Sequence, residues 1–272
     1  MASRAVRSGL AKPQVVAHRG ASERHPEHTL TAYEQALDEG ADALECDVRL
    51  TRDGHLVCVH DRRLDRTSNG RGALSTKRLS ELVELDWASW KNPWADLDDE
   101  AEIDLAESRI LTLHDLLGLV RDWERPIELA IETKHPTRYS GLVEHYLVEM
   151  LHRFGWSRPA GPCPVRVMSF SRMSVRRMQR LAPAVPVVVL VDDRIPITFR
   201  GGELPYGVDI VGPSIELVRA DPDWVRKVHA SRHRVHVWTV NEPADVALCA
   251  ELGIEAIITD RPGETRAQLD AL

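Results

Sequence analysis

The sequence predicts an α/β chain whose parallel strands close into a (β/α)8 barrel, with one insertion between the second and third barrel strands. Three observations carry this. Eight short apolar runs bounded by turn residues occur along the chain, helical patterns separate most of them, and the length is 272 residues. Alternating strands and helices imply a parallel sheet, and eight repeats favour a closed barrel, which at about 250 residues commonly folds as one domain. A single domain over residues 1–272 is therefore expected, with the insertion at about 62–108 inside it.

The predicted strands are 14–18, 43–50, 127–133, 165–169, 187–190, 209–212, 234–239 and 256–259. Between them, helices are predicted over 31–39, 113–123, 140–154, 171–181, 223–231 and 243–252. Thr31 and Glu34 read as a capping box for the first, with Gly40 as its stop, and Gly253 ends the last. A hairpin arm is expected after Asp53-Gly54, ending in His60-Asp61. Two stretches break the alternation. Between Asp193 and Tyr206 the chain is rich in Pro and Gly without helical period, so the barrel helix there should be missing or short. The insertion carries Trp87, Trp90 and Trp94 before the acidic run DLDDEAEIDLAE; it reads as an irregular excursion packing its own aromatics, or as a lid over the barrel mouth.

The net charge of −7 and the scattered basic residues lack the clustered positive face that nucleic acid would need, so no nucleic-acid partner is expected. Cys46, Cys58, Cys163 and Cys249 form neither a CxxC pair nor a zinc-like cluster and read as small core residues in a reduced compartment. The first residues, MASRAVRSGLAKPQ, lack the apolar run of a secretory signal, and no segment approaches a membrane span. A cytoplasmic location without stable membrane insertion is the expectation.

In such a barrel, chemistry sits at the carboxyl ends of the strands. Strand one ends in His18-Arg19-Gly20, strand two carries Glu45 and Asp47, the hairpin arm ends in His60, and strand three carries Glu132 and Lys134. A spacing of two puts Glu45 and Asp47 on one face of their strand, and likewise Glu132 and Lys134, while Leu44, Cys46 and Val48 face the helices. Three carboxylates meeting at a barrel mouth repel one another unless something positive lies between them. A divalent cation would meet that need, and all-oxygen ligation suits Mg2+ or Ca2+ better than zinc. Ordinary ion pairs with Arg49, Arg52 or Lys134 would meet it too. His18 and His60, from separate strand ends and with ordinary pKa values of about 6.5, could divide base and acid roles. Arg19 adds a fork of donors suited to phosphate and Lys134 a point charge, which together make an inventory for phosphoryl transfer.

These residues resemble the glycerophosphodiester phosphodiesterase family. The similarity runs from Val15 to Pro262 through VAHRGASERHPEHT, ALECDVRLTRDGHLVCVHD, LDRTSNGRG, IETKHP, SFS, WTVN and GIEAIITDRP. The resemblance implies a TIM-type barrel and hydrolysis of a small-molecule glycerophosphodiester to glycerol 3-phosphate and an alcohol. It implies Glu45, Asp47 and Glu132 as ligands of one divalent cation (Mg2+ or Ca2+, with Mn2+ a further candidate), His18 and His60 as the acid/base pair, and Arg19 and Lys134 on phosphate. It places Trp238 against the glycerol or leaving group, or in the barrel core, and Asn241 in loop orientation. Two segments depart from the family pattern. Glu27-His28-Thr29 stands where Glu-Asn-Thr is usual, and Leu111-Thr112-Leu113-His114-Asp115 where Pro-Thr-Leu-x-Glu is usual.

Other readings are a lysophospholipase D, whose acyl chain the insertion could admit, and a noncatalytic barrel binding a phosphorylated metabolite. Loss of a ligand or a histidine would mark the latter, and this chain retains them. A zinc amidohydrolase would want His-x-His on strand one, where this chain has His18-Arg19.

Overall fold

The computed structural model describes residues 12–91 and 108–272. Its strands are β1 (Gln14–His18), β2 (Ala43–Leu50), β3 (Leu56–Cys58), β4 (Glu128–Thr133), β5 (Val165–Ser169), β6 (Val187–Val191), β7 (Ile210–Pro213), β8 (Arg234–Val237) and β9 (Ala256–Thr259). The sheet order is β1-β9-β8-β7-β6-β5-β4-β2-β3, and a further parallel pairing of β1 with β2 closes eight of the strands into a barrel. The strand outside the ring, β3, is the expected hairpin arm: it runs antiparallel to β2 with Leu50 opposite Leu56, turning at Gly54 with φ +87°.

Side-chain alternation divides the apolar residues into two cores. Val15, Ala17, Leu44, Cys46, Val48, Leu129 and Ile131 face outward beneath the helices. Val16, Ala43, Ala130, Met168, Val188, Leu190, Ile210, Ala256 and Ile258 fill the barrel interior. The interior fill beneath the strand ends makes the barrel a packed body with chemistry confined to its mouth.

The helices are α1 (Leu30–Asp38), α2 (Leu79–Leu82), α3 (Leu113–Asp122), α4 (Leu142–Arg153), α5 (Arg172–Leu181), α6 (Ile215–Ala220), α7 (Pro222–Ala230), α8 (Pro243–Leu252) and α9 (Pro262–Ala271). The expected cap at Thr31 is corrected: Thr29 caps α1, its side chain accepting from the Ala32 N–H, and Thr31 lies inside the helix. A capping box read from Thr-x-x-Glu spacing alone chose the wrong threonine, because Thr29 also precedes the apolar face. The Thr112–Asp115 segment has a similar local use, Thr112 accepting from the Asp115 N–H to cap α3.

After β6 there is no α-helix; two short 3-10 turns, Ile197–Phe199 and Pro205–Gly207, cross instead. This crossover is pinned by the buried Phe199, whose carbonyl accepts from Trp224 Nε1 at 2.7 Å. α6 and α9 were not read from sequence. α9 shows few apolar positions, burying Pro262, Thr265 and Leu269, and contacts β1 and α8. Within the insertion, Leu64, Leu74, Leu82 and Trp87 form a small core with Val57, Val59 and Ile110, so the described part packs Trp87 inside its own cluster. Trp94 and the acidic run lie outside the described residues. Among the described residues, no helix is long and apolar enough to cross a membrane.

Candidate active site

Strand register brings the acids together. His18 pairs across to Glu45 in the β1–β2 ladder, and Asp47 pairs with Glu132 in the β2–β4 ladder. Glu45, Asp47 and Glu132 are all buried, and a ligand oxygen from each lies within 4.8 Å of the others. Burial, followed by repulsion from Asp47, pushes the Glu132 carboxyl up to about 8 and Glu45 well above the usual carboxylate range. Burial would raise Asp47 as well, but Arg19 and Lys134 outweigh it and hold that carboxyl well below its ordinary value. The metal-free cluster is therefore short of positive charge. A hard divalent cation fits this buried all-oxygen set.

Basic groups supply part of that charge. Lys134 Nζ lies 3.1 Å from Asp47 and 2.9 Å from Glu132. Arg19 Nε sits 3.0 Å from Asp47 as an ion-pair contact without hydrogen-bond alignment, and its Nη1 donates to Glu27 at 3.1 Å. Arg49 has a different task from pairing the acids: its Nε and Nη2 donate to the His60 carbonyl at 2.9 and 2.6 Å.

Both imidazoles are backed by carboxylates. His18 Nδ1 bonds Asp260 at 2.7 Å, and His60 Nδ1 bonds Asp61 at 2.7 Å. With Nδ1 engaged, Nε2 of each ring is the nitrogen left for the cavity that both residues line. Asp260 also accepts from Ser22 at 2.9 Å and from the Asn241 amide at 2.6 Å. On the other side, Arg66 grips Asp61 and Glu27 together, at 2.6 Å from each. The His60 support and the Arg19 support are thereby one network. Burial, against the pull of Asp47, draws the His60 imidazole down to about 4, so it is neutral at pH 7 and able to accept a proton. Asp260, Glu27 and Arg66 were not assigned roles from sequence; only their place within the matching segments marked them. We expect Asp260→Asn to lower kcat by about tenfold to a hundredfold and to change the pH–rate profile without loss of cation binding. An unchanged profile would show that Asp260 does not position His18.

The departure at His28 is accommodated. This residue is buried, adopts φ +63°, and bonds Asp47 at 3.0 Å through Nε2 and the Tyr33 hydroxyl at 2.8 Å through Nδ1. Asn and His both tolerate that left-handed conformation, and both can reach a carboxylate. Near it, Gly20 has φ +91°, and a Cβ there would come within 2.6 Å of the Ala32 backbone. Gly20→Ala is expected to destabilise the protein by about 2 kcal/mol or more, measured by urea unfolding; an unchanged midpoint would contradict this packing.

A cavity of about 260 Å³ opens above the acids and is lined by His18, Arg19, Glu45, His60, Glu132 and Lys134 on one side. Asp47 lies just beneath, buried behind Lys134 and Arg19. Trp238 also lines the cavity, while its ring packs against the interior core and its Nε1 donates to the Gly212 carbonyl at 2.8 Å. It is both a core and a cavity residue.

These groups at the barrel mouth suit phosphoryl transfer, and sequence similarity sets the chain among the phosphoric diester hydrolases. The Glycerophosphoryl diester phosphodiesterase family model matches residues 18–264, and the chain belongs to that family. It is 47% identical over 260 residues to the probable glycerophosphodiester phosphodiesterase 1 of Mycobacterium tuberculosis, covering 95% of this chain and 93% of that protein. It is 30% identical over 251 residues to a glycerophosphodiester phosphodiesterase of Bacillus subtilis, covering 91% and 83%. An Oleispira antarctica phosphodiesterase solved with the product sn-glycerol-3-phosphate shares the fold, with a TM-score of 0.80 at 24% identity over 95% of this chain and 97% of that one. A Parabacteroides distasonis glycerophosphodiester phosphodiesterase does so with a TM-score of 0.77 at 24% identity, over 97% and 99%.

Proposed function

We propose that this glycerophosphodiester phosphodiesterase cleaves its substrate to sn-glycerol 3-phosphate and an alcohol, with Glu45, Asp47 and Glu132 holding one Mg2+, Ca2+ or Mn2+. The observation that carries the reading is the meeting, in one cavity, of the buried carboxylates with two imidazoles whose Nδ1 atoms are already held. When bound, the cation would polarise a nonbridging phosphoryl oxygen and neutralise charge. Arg19 and Lys134 orient the phosphate and receive the negative charge that builds in the transition state. His60, neutral at pH 7, takes through Nε2 the proton of the nucleophile, which is either water or the substrate's own glycerol hydroxyl, whose cyclic phosphate water then opens; His18 delivers a proton to the departing alcohol oxygen. Asp61 and Asp260 keep both rings aimed. The free thiols of Cys46, Cys58, Cys163 and Cys249 support work in a reducing compartment such as the cytoplasm.

The experiment is release of glycerol 3-phosphate from glycerophosphocholine and glycerophosphoethanolamine, first after chelation and then with Mg2+, Ca2+ or Mn2+ restored. Metal-restored release is expected. No release with any cation would overturn the reading.

A further inference from the structure

The insertion reaches the active site through two residues. Trp90 and Lys91 lie in the 3-10 turn Ser89–Lys91, outside the small core around Trp87. Asp86 holds that turn: its Oδ1 accepts from the Ala88 and Ser89 N–H groups at 2.9 and 3.1 Å, while the Trp90 indole donates to the Trp87 carbonyl at 3.0 Å. Asp86 is in turn joined to Asn69 by two bonds, the Asn69 N–H donating to the Asp86 carbonyl at 3.1 Å and the Asp86 N–H to Asn69 Oδ1 at 3.0 Å. The turn is thereby fixed against the segment that carries Arg66.

From this base Lys91 Nζ donates to the Ser22 carbonyl at 2.8 Å. The Ser22 hydroxyl lies 2.7 Å from the His18 carbonyl and 2.9 Å from Asp260, the carboxylate behind the His18 ring. Lys91 therefore holds the backbone of the turn that backs His18. The Trp90 ring joins this support to that of the other imidazole. Arg66 Cζ lies 5.7 Å and Lys91 Nζ 5.9 Å from its centroid, both within the range at which a ring face attracts a cation. Arg66 grips Asp61, which bonds His60, and Glu27, which bonds Arg19. The Arg66 side chain is 43% exposed, so water screens those ion pairs and the long side chain has other rotamers to visit. An aromatic ring beside the guanidinium excludes water from that side and removes part of this freedom.

We infer that Trp90 and Lys91 are positioning residues: an aromatic ring and an ammonium of the insertion together steady the carboxylates that aim His18 and His60. This rests on the phosphodiesterase reading above, in which those imidazoles move protons. The insertion then has a part in catalysis that acts through Ser22 and Arg66 rather than on the substrate.

The test measures glycerophosphocholine hydrolysis, with Mn2+ present, by the full chain and by single variants. Trp90→Leu, which keeps apolar bulk and loses the ring, should lower kcat about tenfold with KM changed by less than about twofold. Trp90→Phe, which keeps a ring face, should recover most of that rate. Lys91→Met should lower kcat by a similar factor and displace the pH–rate profile, and Lys91→Arg, which can still donate to the Ser22 carbonyl, should restore both. Unchanged kcat in Trp90→Leu and Lys91→Met would overturn the inference and leave the phosphodiesterase reading standing. So would equal losses in Trp90→Leu and Trp90→Phe, or a loss of kcat/KM carried wholly by KM, since these side chains would then be filling space or touching substrate. If a thermal melt shows Trp90→Leu unfolded, the Lys91 pair decides, and equal rates for Lys91→Met and Lys91→Arg overturn the inference. No hydrolysis by the unaltered protein with any cation would overturn the phosphodiesterase reading and this inference with it.

Discussion

His60→Ala is expected to lower kcat by about 10²–10⁴-fold while cation binding persists. The ring is held by Asp61 at Nδ1, and the backbone beneath it is held separately by Arg49, whose guanidinium donates to the His60 carbonyl. Removing the imidazole therefore deletes the proposed base and leaves the strand end in place. The Val59 N–H donates to the Asp47 carbonyl at 2.9 Å, which further ties this segment to β2 whatever the side chain at position 60. Two measurements separate chemistry from folding: single-turnover rates at saturating substrate, and the thermal shift produced by Mn2+. Full activity in the variant would remove His60 from the reaction. A lost Mn2+ shift with a lost rate would make its part structural instead.

Stripping divalent cations should abolish turnover and also reverse the pH dependence of stability. In the metal-free protein the Glu132 carboxyl sits at about 8, against an ordinary value of 4.5, because burial and then Asp47 oppose its charge. Between those values the folded state keeps a proton that the unfolded chain has released, so stability falls as pH rises through the window and levels off above about 8. Glu45, also raised, adds to the same slope. Asp47 has the opposite sign: its depressed value contributes stability above its ordinary 3.8 that is lost only as pH falls below that range. The loss across the window is on the order of a few kcal/mol, or about 5–10 °C in Tm for a chain of this size. Added Mg2+ or Ca2+ replaces the protons, so it should raise Tm more at pH 8 than at pH 6 and release protons on binding. Calorimetry with chelator and with cation at both pH values tests this. A chelated protein whose Tm is flat from pH 5 to 8, and unmoved by cations, would argue against a metal site at these acids.

Much of this site was legible because its signals are local. Glu45 and Asp47 are two residues apart in an otherwise apolar strand, and strand alternation alone sends both to the mouth while Leu44 and Cys46 go to the helices. The hairpin that returns His60 to that mouth was legible from Asp53-Gly54, whose glycine takes φ +87°. Other features were not. The cap of α1 was misplaced by two residues because Thr29 and Thr31 both suit a helix start, and only the hydrogen bond to Ala32 distinguishes them. α9 was missed because its buried positions include Pro262 and Thr265, which no apolar period reveals.

The sequence by itself determined the alternation of strands and helices, the missing helix after β6, and the side of the barrel on which acids, imidazoles and cations gather. Each follows from periodicity or chain-neighbour geometry within a few residues. The tertiary structure alone decided which groups hold those residues to their tasks. Asp260 reaches His18 across 242 positions, Arg66 reaches Glu27 across 39, and Lys91 reaches Ser22 across 69. Such contacts exist only once the sheet has closed, because closure turns separation along the chain into adjacency around a ring.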